Sequence, residues 1–417
     1  MRVLLGPSHE LHGGIHGALT DRPADSVEYV ERSYTHFFQH AVRSGRPFSP
    51  VHEHSECEWV RFTDERGVDV IHSARFPVET VLPWVVDADC LFLPLQIGAF
   101  FALGLHHGAA RPTEQAIRNR EALMLARYAE PRCRRIILRT AFARRQLLQR
   151  LVDRGFDAAT IDAVIGKTEV VYPAVATASL AAAPPRPSIL FMGRTFVDKG
   201  GRLAMAVFER LRERCGASFD ATIVADCPPD VVRACAALNV DVQPTGDRAR
   251  YVACLARADI FFSPTLFESF GMGLVEAAAA GMAIVSSSGP GMEHIGELFE
   301  DGREAVFVSN GLDEDARVRR YAEVLAALID DESRRRRLAA GARALAASGR
   351  LSLSRHNQVM GRIYTEAGAS STPGCHPAVS PADAPSRVDS PVLGWSEQTC
   401  HWTRRRWTPI GGVRICV

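Results

Sequence analysis

The sequence has little net charge, no paired cysteine motif and no long apolar run. Lysine and arginine total 49 against 48 aspartates and glutamates, a net charge of +1, so no strong field draws the chain to nucleic acid. None of the ten cysteines forms a CxxC pair, which argues against a zinc ribbon or a disulfide framework. No run of about 18 uninterrupted apolar residues is present, and the opening residues turn polar too soon for a signal peptide. We therefore expect a cytoplasmic protein that binds no nucleic acid.

Lysine is nearly absent. Only Lys167 and Lys199 occur among the 49 basic residues, a bias toward arginine that is typical of a GC-rich genome. Where arginine serves almost everywhere, a remaining lysine can mark a position that needs a compact ammonium group. We expect this of Lys199, which lies in a candidate anion site, and we expect that arginine can replace Lys167.

The rest of the composition is that of a globular protein with two or three domains. Hydrophobic residues make up 47% and charged residues 23% of the 417 positions, which is ordinary for such proteins. The proline-rich segment 184–187 predicts a linker. We expect an N-terminal domain over residues 1–183 and a C-terminal domain over 184–366. The tail over 367–417 is proline-rich and without periodicity, so we expect it to be poorly ordered.

Apolar runs alternate with amphipathic stretches in both halves, which is typical of parallel sheets flanked by helices and predicts an α/β fold. Helices are predicted at 141–154, 203–214 and 273–280. Strands are predicted at 2–5, 68–72, 82–86 and 135–138 in the first half and at 189–192, 221–224, 259–262 and 283–285 in the second.

Two motifs that suggest nucleotide or metal chemistry are incomplete. Gly166-Lys167-Thr168 lacks the glycine that a P-loop requires five residues earlier, because that position is Ile161. The segment 52–57 has a glutamate where a zincin helix needs its second histidine. We therefore expect no metal site.

A candidate anion site follows the strand predicted at 189–192. Arg194 and Lys199 place two cations between that strand and a predicted helix, whose amide dipoles also attract anions. A diphosphate leaving group needs this combination of charges when no metal is available. We predict that the two side chains bind a diphosphate.

A second candidate ligand-binding segment spans residues 263–276. Gly271 and Gly273 allow backbone amides to approach an anionic or hydroxyl-rich ligand closely. Glu268 and Glu276 lie eight residues apart and can bracket an extended ligand. An acidic residue near a helix N-terminus and a solvated helix face would also account for the two glutamates, so both interpretations stand at this point.

Taken together, these motifs resemble the retaining family-four glycosyltransferases. The resemblance implies the GT-B fold, in which two Rossmann-like domains face each other across a cleft and a C-terminal helix returns to the N-terminal domain. It also implies transfer of a sugar from a nucleotide-diphosphate sugar, with retention at the anomeric carbon and without a metal or other cofactor. The matching segments are Gly193-Arg194, Lys199-Gly200-Gly201, Glu268 to Gly281, 286–293, 136–145 and 170–175.

The resemblance assigns roles to individual residues. Glu268 would be the catalytic residue beside the sugar, Arg194 and Lys199 would hold the diphosphate, and Glu276 would bind the ribose. Leu274 would pack beside the nucleotide. The donor-binding residues that the resemblance implies are Gly13, Gly14, Gly193, Arg194, Lys199, Glu268, Ser269, Phe270, Gly271, Met272, Gly273, Leu274 and Glu276.

The chain departs from this family after the strand predicted at 82–86. Many members carry a histidine followed by an aspartate there, near the transferred sugar. Here Asp87 and Asp89 follow the strand and no histidine is present. Either aspartate could supply the missing polar contact as a catalytic residue. The fallback histidines are His72, His106 and His107, each of which also fits a structural or surface position.

Other functions remain open. Asp87 and Asp89 also fit the metal-binding DxD motif of a GT-A transferase, and a GT-B fold could host an epimerase, a phosphorylase or a non-catalytic partner subunit. The acceptor is unknown. The arginine-rich stretch between Arg132 and Arg154 could contact acidic lipid headgroups, as a peripheral enzyme at the inner membrane face would.

Overall fold

The computed structural model describes residues 1–41, 57–88, 122, 124–177, 186–193, 196–197, 199–246 and 248–369, together with three strands nearer the C-terminus. Strands and helices are numbered below in chain order. The predicted linker at 184–187 lies partly outside the described residues, so the predicted domain boundary stays a prediction. Among the described residues, no helix is both long and apolar enough to cross a membrane.

The first half of the chain forms a six-stranded parallel sheet in the order β2-β1-β5-β6-β7-β8. Strands β5 and β6 are buried along their whole length, as expected for a parallel sheet that is covered on both faces. The predicted strands therefore exist, with ends shifted by a few residues. The bounds are β1 Arg2–Gly6, β2 Glu28–Val30, β5 Val70–Ser73, β6 Trp84–Asp87, β7 Cys133–Leu138 and β8 Thr168–Val170.

The first half also contains the helices α1 His16–Asp21, α2 Ala141–Asp153 and α3 Ala158–Ile165. Helix α2 matches the predicted helix and is capped by Thr140, whose side chain accepts a hydrogen bond from the amide of Ala143. Leu147 and Leu151 lie buried on its inner face because they are four residues apart.

The second half forms another six-stranded parallel sheet, in the order β11-β10-β9-β12-β13-β14. Counted from β9, this order is 3-2-1-4-5-6, the strand order of the Rossmann fold. The four predicted strands are all present, and β11 and β14 are additional. The bounds are β9 Ser188–Met192, β10 Asp220–Val224, β11 Val240–Gln243, β12 Ile260–Ser263, β13 Ala283–Ser288 and β14 Ala305–Ser309.

Helices connect these strands and close the second half, as the alternation predicts. Their bounds are α4 Gly201–Cys215, α5 Pro229–Ala237, α6 Arg248–Arg257, α7 Met272–Ala280, α8 Ile295–Leu298, α9 Glu314–Asp330 and α10 Glu332–Ala347.

The last helix, α11 (Leu353–Ala369), returns to the first half. Ile363 and Tyr364 belong to the same buried cluster as Val3 of β1 and Val85 of β6. The Tyr364 hydroxyl also lies 2.7 Å from Nδ1 of His72 on β5. The core of the N-terminal sheet is therefore completed by residues from the far end of the chain.

The structure describes part of the predicted tail, whose lack of order stays a prediction. Helix α11 continues to Ala369, and a strand, β15 (Leu393–Cys400), pairs antiparallel with β3 (Tyr34–Ala41). Strand β3 also pairs with β4 (Cys57–Phe62), which gives a separate three-stranded sheet. A short hairpin of β16 (Thr408–Ile410) and β17 (Val413–Ile415) follows. This pairing joins segments more than 350 residues apart, so local composition could not predict it.

Candidate functional site

Three loops meet at the carboxyl edge of the second sheet. They follow β9, β12 and β13, and β9 and β12 are neighbours in the sheet although they are the first and fourth strands of this half. The connections leave these two strands toward opposite sides of the sheet, which opens a crevice at their carboxyl ends. Open α/β sheets bind their ligands at this kind of switch point.

Two glycines allow the three loops to approach one another. Gly200 has φ +77°, and a Cβ there would lie 2.2 Å from the carbonyl oxygen of Pro264. Gly291 has φ +80°, and a Cβ there would lie 2.2 Å from the carbonyl oxygen of Leu266. Any larger residue would push the loops apart. The Asn310 side-chain amide donates to carbonyls of both the β12 and β13 loops, at 3.1–3.3 Å, which holds this arrangement.

The lysine predicted to bind a diphosphate lies in this crevice. Lys199 Nζ donates to Glu268 Oε2 at 2.5 Å, and both side chains are partly exposed, at 29% and 19%. The stem of Lys199 passes over Gly193, where a Cβ would lie 2.5 Å from its Cγ. The structure therefore brings together three of the predicted site residues, Gly193, Lys199 and Glu268. Arg194, their predicted partner, lies outside the described residues.

Helix α7 begins at the floor of the same crevice. Gly271 precedes it with φ +93°, and its N-terminus has no side-chain cap among the described residues, so the amides of Met272 and Gly273 lie at the positive end of the helix dipole. Ser269 and Phe270 form the approach to this helix, and the amide of Ser269 bonds its neighbour Glu268 at 3.2 Å. A helix start of this kind is suited to an anion.

The two remaining predicted residues of α7 have different surroundings. Glu276 lies partly buried and accepts a hydrogen bond from the hydroxyl of Tyr251 on α6. Leu274 is only 2% exposed and packs toward Gly271, where a Cβ would lie 2.9 Å from its Cδ1. Glu276 can therefore receive a polar ligand group beside Tyr251, whereas Leu274 belongs mainly to the wall that shapes the loop.

His294 is a site residue that the sequence analysis missed. It is 2% exposed, and its Nε2 donates to the carbonyl oxygen of Phe270 at 3.1 Å. Burial lowers the pKa of His294 below its ordinary value, so the ring stays neutral near pH 7 and acts as a single donor. It fixes the backbone between Glu268 and α7. Its position next to Glu293 in the motif was the available signal.

The glycine-containing loop after β1 reaches the crevice from the other half of the chain. A Cβ on Gly14 would lie 3.0 Å from Cε of Met272, at the start of α7. Gly13 lies in the same turn. The His12 ring folds back over this loop, and its Nδ1 accepts from the amides of Gly14 and Ile15 at 3.1 and 3.3 Å. The predicted N-terminal and C-terminal donor loops therefore come into contact.

Asp87 does not fit the catalytic role predicted for it. Its carboxylate is 2% exposed, pairs with Arg139, and lies 2.8 Å from Nε2 of His16 and 3.3 Å from Nε2 of His72. Burial by itself would raise the pKa of Asp87, but Arg139, His72 and His16 hold it well below its ordinary value. Arg139 and the two imidazoles already account for this carboxylate, which favours a structural role for Asp87.

Three further candidates follow β6 in the chain. Asp89, His106 and His107 lie outside the described residues. His72 is 1% exposed and sits between Asp87 and Tyr364, which makes it a structural residue. Within the described part of the chain, no group of three histidine, cysteine or carboxylate side chains could hold a metal ion.

Lys167 caps backbone carbonyls of the first half. Its Nζ donates to the carbonyl oxygens of Tyr128, Ala129 and Glu130 at 2.9, 2.8 and 2.7 Å, where the helical residues 124–129 end. Three carbonyls converging on one point match the three donors of an ammonium group, not the planar fork of a guanidinium group. Arginine is therefore a poor replacement at this position.

Part of the chain matches a known family. Residues 186–331 match the family model described as Glycosyl transferases group 1. The D-inositol 3-phosphate glycosyltransferase of Xylanimonas cellulosilytica is 33% identical over 192 residues, which is 43% of this chain and 42% of that protein. The chain thus matches less than half the length of this curated relative.

Solved structures resemble a larger part of the molecule. Anabaena Alr3699/HepE, crystallised with UDP and glucose, superposes with a TM-score of 0.52 at 16% identity and covers 88% of this chain and 100% of its own. The pneumococcal O-GlcNAc transferase GtfA, crystallised with UDP and GlcNAc, has a TM-score of 0.51 at 14% identity and covers 72% of this chain and 56% of its own. These likenesses show the fold: the two parallel sheets and the returning helix form the GT-B fold, as expected from the sequence.

Proposed function

We propose that this protein is a retaining glycosyltransferase that moves a sugar from a nucleotide-diphosphate sugar to an acceptor hydroxyl. The proposal rests chiefly on the contact between Lys199 and Glu268, which are 2.5 Å apart. This contact lies beside the N-terminus of α7, at the switch point of a sheet with the Rossmann strand order. The family match over residues 186–331 covers this whole region, and the superposable HepE and GtfA structures contain UDP.

The crevice supplies a distinct group for each part of such a donor. Lys199, together with Arg194, would meet the diphosphate, and the uncapped amides of Met272 and Gly273 would add to the positive field. Glu276 would bind the ribose from beside Tyr251. The Gly13–Gly14 loop would close over the phosphates, since it already contacts Met272.

The chemistry follows from where charge develops. As the bond between the anomeric carbon and the diphosphate oxygen breaks, negative charge grows on the leaving diphosphate, where fixed cations and dipoles stabilise it without reorganising. The acceptor oxygen bonds to the same carbon on the same face, and its proton passes to the departing phosphate oxygen. The side chain of Glu268 would change rotamer, leave Lys199 and orient the hydroxyl groups of the sugar. This scheme requires no metal ion.

Two alternatives lose support from the geometry. A GT-A metal site built on Asp87 conflicts with the pairing of that carboxylate to Arg139 and His16. A non-catalytic subunit has no need of the Lys199–Glu268 contact at an open crevice. An epimerase or phosphorylase would use the same donor site, so the distinction depends on the product.

Contact with a membrane surface has one specific observation in its favour. On α2, Leu148 and Val152 are exposed at 40% and 54% and lie one turn apart, close to the exposed side chains of Arg144 and Arg145. Apolar and cationic groups on one exposed helix face suit an anionic lipid surface. We propose a peripheral association, with flotation on phosphatidylglycerol vesicles expected for the wild type and reduced for Leu148→Ser/Val152→Ser.

The central proposal is tested first by binding and then by product. Calorimetric titration with UDP, GDP and ADP should show binding of at least one diphosphate by the wild type and weaker binding by Lys199→Ala. Activity with the matching donor should persist in EDTA, and NMR of the first product should show a retained anomeric configuration. An inverted product, or turnover of donor only when inorganic phosphate replaces the acceptor, would contradict the assignment.

A further inference from the structure

We propose that His16 is a positioning residue that holds the Gly13–Gly14 loop in place for the donor, fixed from behind by the buried pair of Asp87 and Arg139. The inference rests on the proposed function, because it assigns the loop to the donor site. It also assigns a role to the buried cluster of Asp87, Arg139, His16 and His72, which takes no part in the proposed sugar-transfer chemistry.

His16 joins the buried pair to the loop through its two ring nitrogens. Nε2 lies 2.8 Å from Asp87 Oδ2. Nδ1 accepts a hydrogen bond from the backbone amide of His12 at 2.8 Å. The ring is 4% exposed, so neither nitrogen exchanges these partners for water without moving the loop.

These contacts fix the tautomer. A nitrogen that accepts from a backbone N–H carries no proton, so the single proton of neutral His16 sits on Nε2 and is donated to Asp87. Asp87 must then be ionised to accept it, and the Arg139 guanidinium balances its charge. Burial lowers the pKa of His16, which keeps the ring in the neutral form that can accept from His12.

The same series of hydrogen bonds continues to the donor loop. His12 is held through its backbone by His16, and its own ring accepts from the amides of Gly14 and Ile15. Gly14 in turn lies against Met272 at the start of α7. A hydrogen-bonded path therefore runs from Arg139 and Asp87 at the carboxyl edge of the first sheet to the loop that faces the second.

A glycine-containing loop gains most from such a support. Two adjacent glycines have many accessible backbone conformations, and ordering them when the donor arrives would reduce affinity. Holding His12 in advance removes part of that cost. Loss of one such hydrogen bond should therefore appear as a donor KM raised by about tenfold, with little change in kcat, because no group of His16 reaches the reacting atoms.

Two conservative variants separate the functions of the two nitrogens. The amide of His16→Asn can occupy the place of Nδ1 and still accept from His12, but it loses Asp87. His16→Gln reaches the place of Nε2 and keeps Asp87, but it offers no acceptor near His12. We expect His16→Gln to raise donor KM about tenfold and to speed amide hydrogen exchange at residues 12–15. His16→Asn keeps the contact to His12 but loses the support of Asp87, so it should change both quantities less than His16→Gln does, with a lower Tm.

His356→Ala provides a matched control for His16→Ala. His356 is also a buried imidazole packed on the first sheet, with Nδ1 bonded to the Tyr172 carbonyl at 2.9 Å. Both alanine variants should lower Tm, but only His16→Ala should change donor KM and exchange in the loop.

Equal effects of His16→Asn and His16→Gln, or of the two alanine variants, on KM and loop exchange would overturn the proposal. A wild type that binds no nucleotide would refute the proposed function instead, while the exchange measurement would still report on the loop.

Discussion

The two lysines of this protein have different kinds of partner: one donates to backbone carbonyls and the other to a carboxylate. In the N-terminal half, Lys167 donates to three backbone carbonyls, and Asp87 is enclosed by Arg139 and two imidazoles. In the C-terminal half, Lys199 meets a carboxylate on the rim of an open crevice. The partners of Lys167 and Asp87 belong to the chain itself, whereas we propose that the charges of the second region bind a ligand. Substitution of Lys167 should therefore change stability, and substitution of Lys199 should change turnover.

The largest contrast is expected for Lys199→Arg. The charge is kept, but the guanidinium is longer and planar and would crowd a crevice in which the lysine stem already passes over Gly193. Loss of a charge-assisted contact to the leaving diphosphate should reduce turnover roughly 30- to 1000-fold at saturating donor. The Tm should change little. Full activity in this variant would contradict the assignment of Lys199 to the diphosphate site.

The next effect concerns the acid stability of the N-terminal half. Burial lowers the pKa of His356 from 6.5 to about 4. Because the unfolded chain binds the proton more readily, stability is complete above pH 6.5 and falls between pH 6.5 and pH 4, by about 3 kcal/mol in all. Urea unfolding at several pH values should show this slope, and His356→Asn should flatten it. An unchanged slope in the variant would assign the acid sensitivity to other groups.

Glu268→Gln should have a smaller effect on turnover than Lys199→Arg. The amide keeps the shape of the side chain and can still accept from Lys199 or from a sugar hydroxyl, but it lacks the charge that orients both. A loss of about 2 kcal/mol, or roughly 30-fold in kcat/KM, is expected. Calorimetry should show that binding of the nucleoside diphosphate alone is preserved. If binding is lost in parallel with turnover, Glu268 supports the loop and does not contact the sugar.

The smallest effect is expected for Lys167→Arg. The guanidinium can satisfy some of the three carbonyls but not all of them in one geometry. We expect a loss of about 1 kcal/mol in the free energy of unfolding and unchanged turnover per folded molecule. Lys167→Met, which removes every donor, should cost about twice as much. If both variants unfold like the wild type, water satisfies the three carbonyl oxygens as well as Lys167 does.

Much of the fold could be predicted from local pattern. Buried parallel strands are continuous apolar runs, so β5, β6, β9 and β12 were recognisable without their neighbours. Part of the crevice was recognisable as well, because Gly193, Lys199, Glu268 and Gly271 lie within two short segments of the chain.

Residues whose role depends on distant partners could not be predicted in this way. Asp87 follows an apolar strand, as a catalytic carboxylate would, but Arg139, 52 residues away, encloses it. Lys167 was expected to tolerate arginine because its carbonyl partners lie 37–39 residues earlier and leave no local pattern. His294 acts through a backbone carbonyl, so its position beside Glu293 in the motif was the one available signal.

The return of α11 to the first half has a consequence for synthesis of the protein. Strands β1, β5 and β6 leave the ribosome long before Ile363 and Tyr364, which complete their core. Domains usually fold in order as they emerge, but here the first half must wait for the last helix. A chain that terminates before Leu353 should therefore expose the apolar face of its first sheet and depend on chaperones, even though every residue of that sheet has been made.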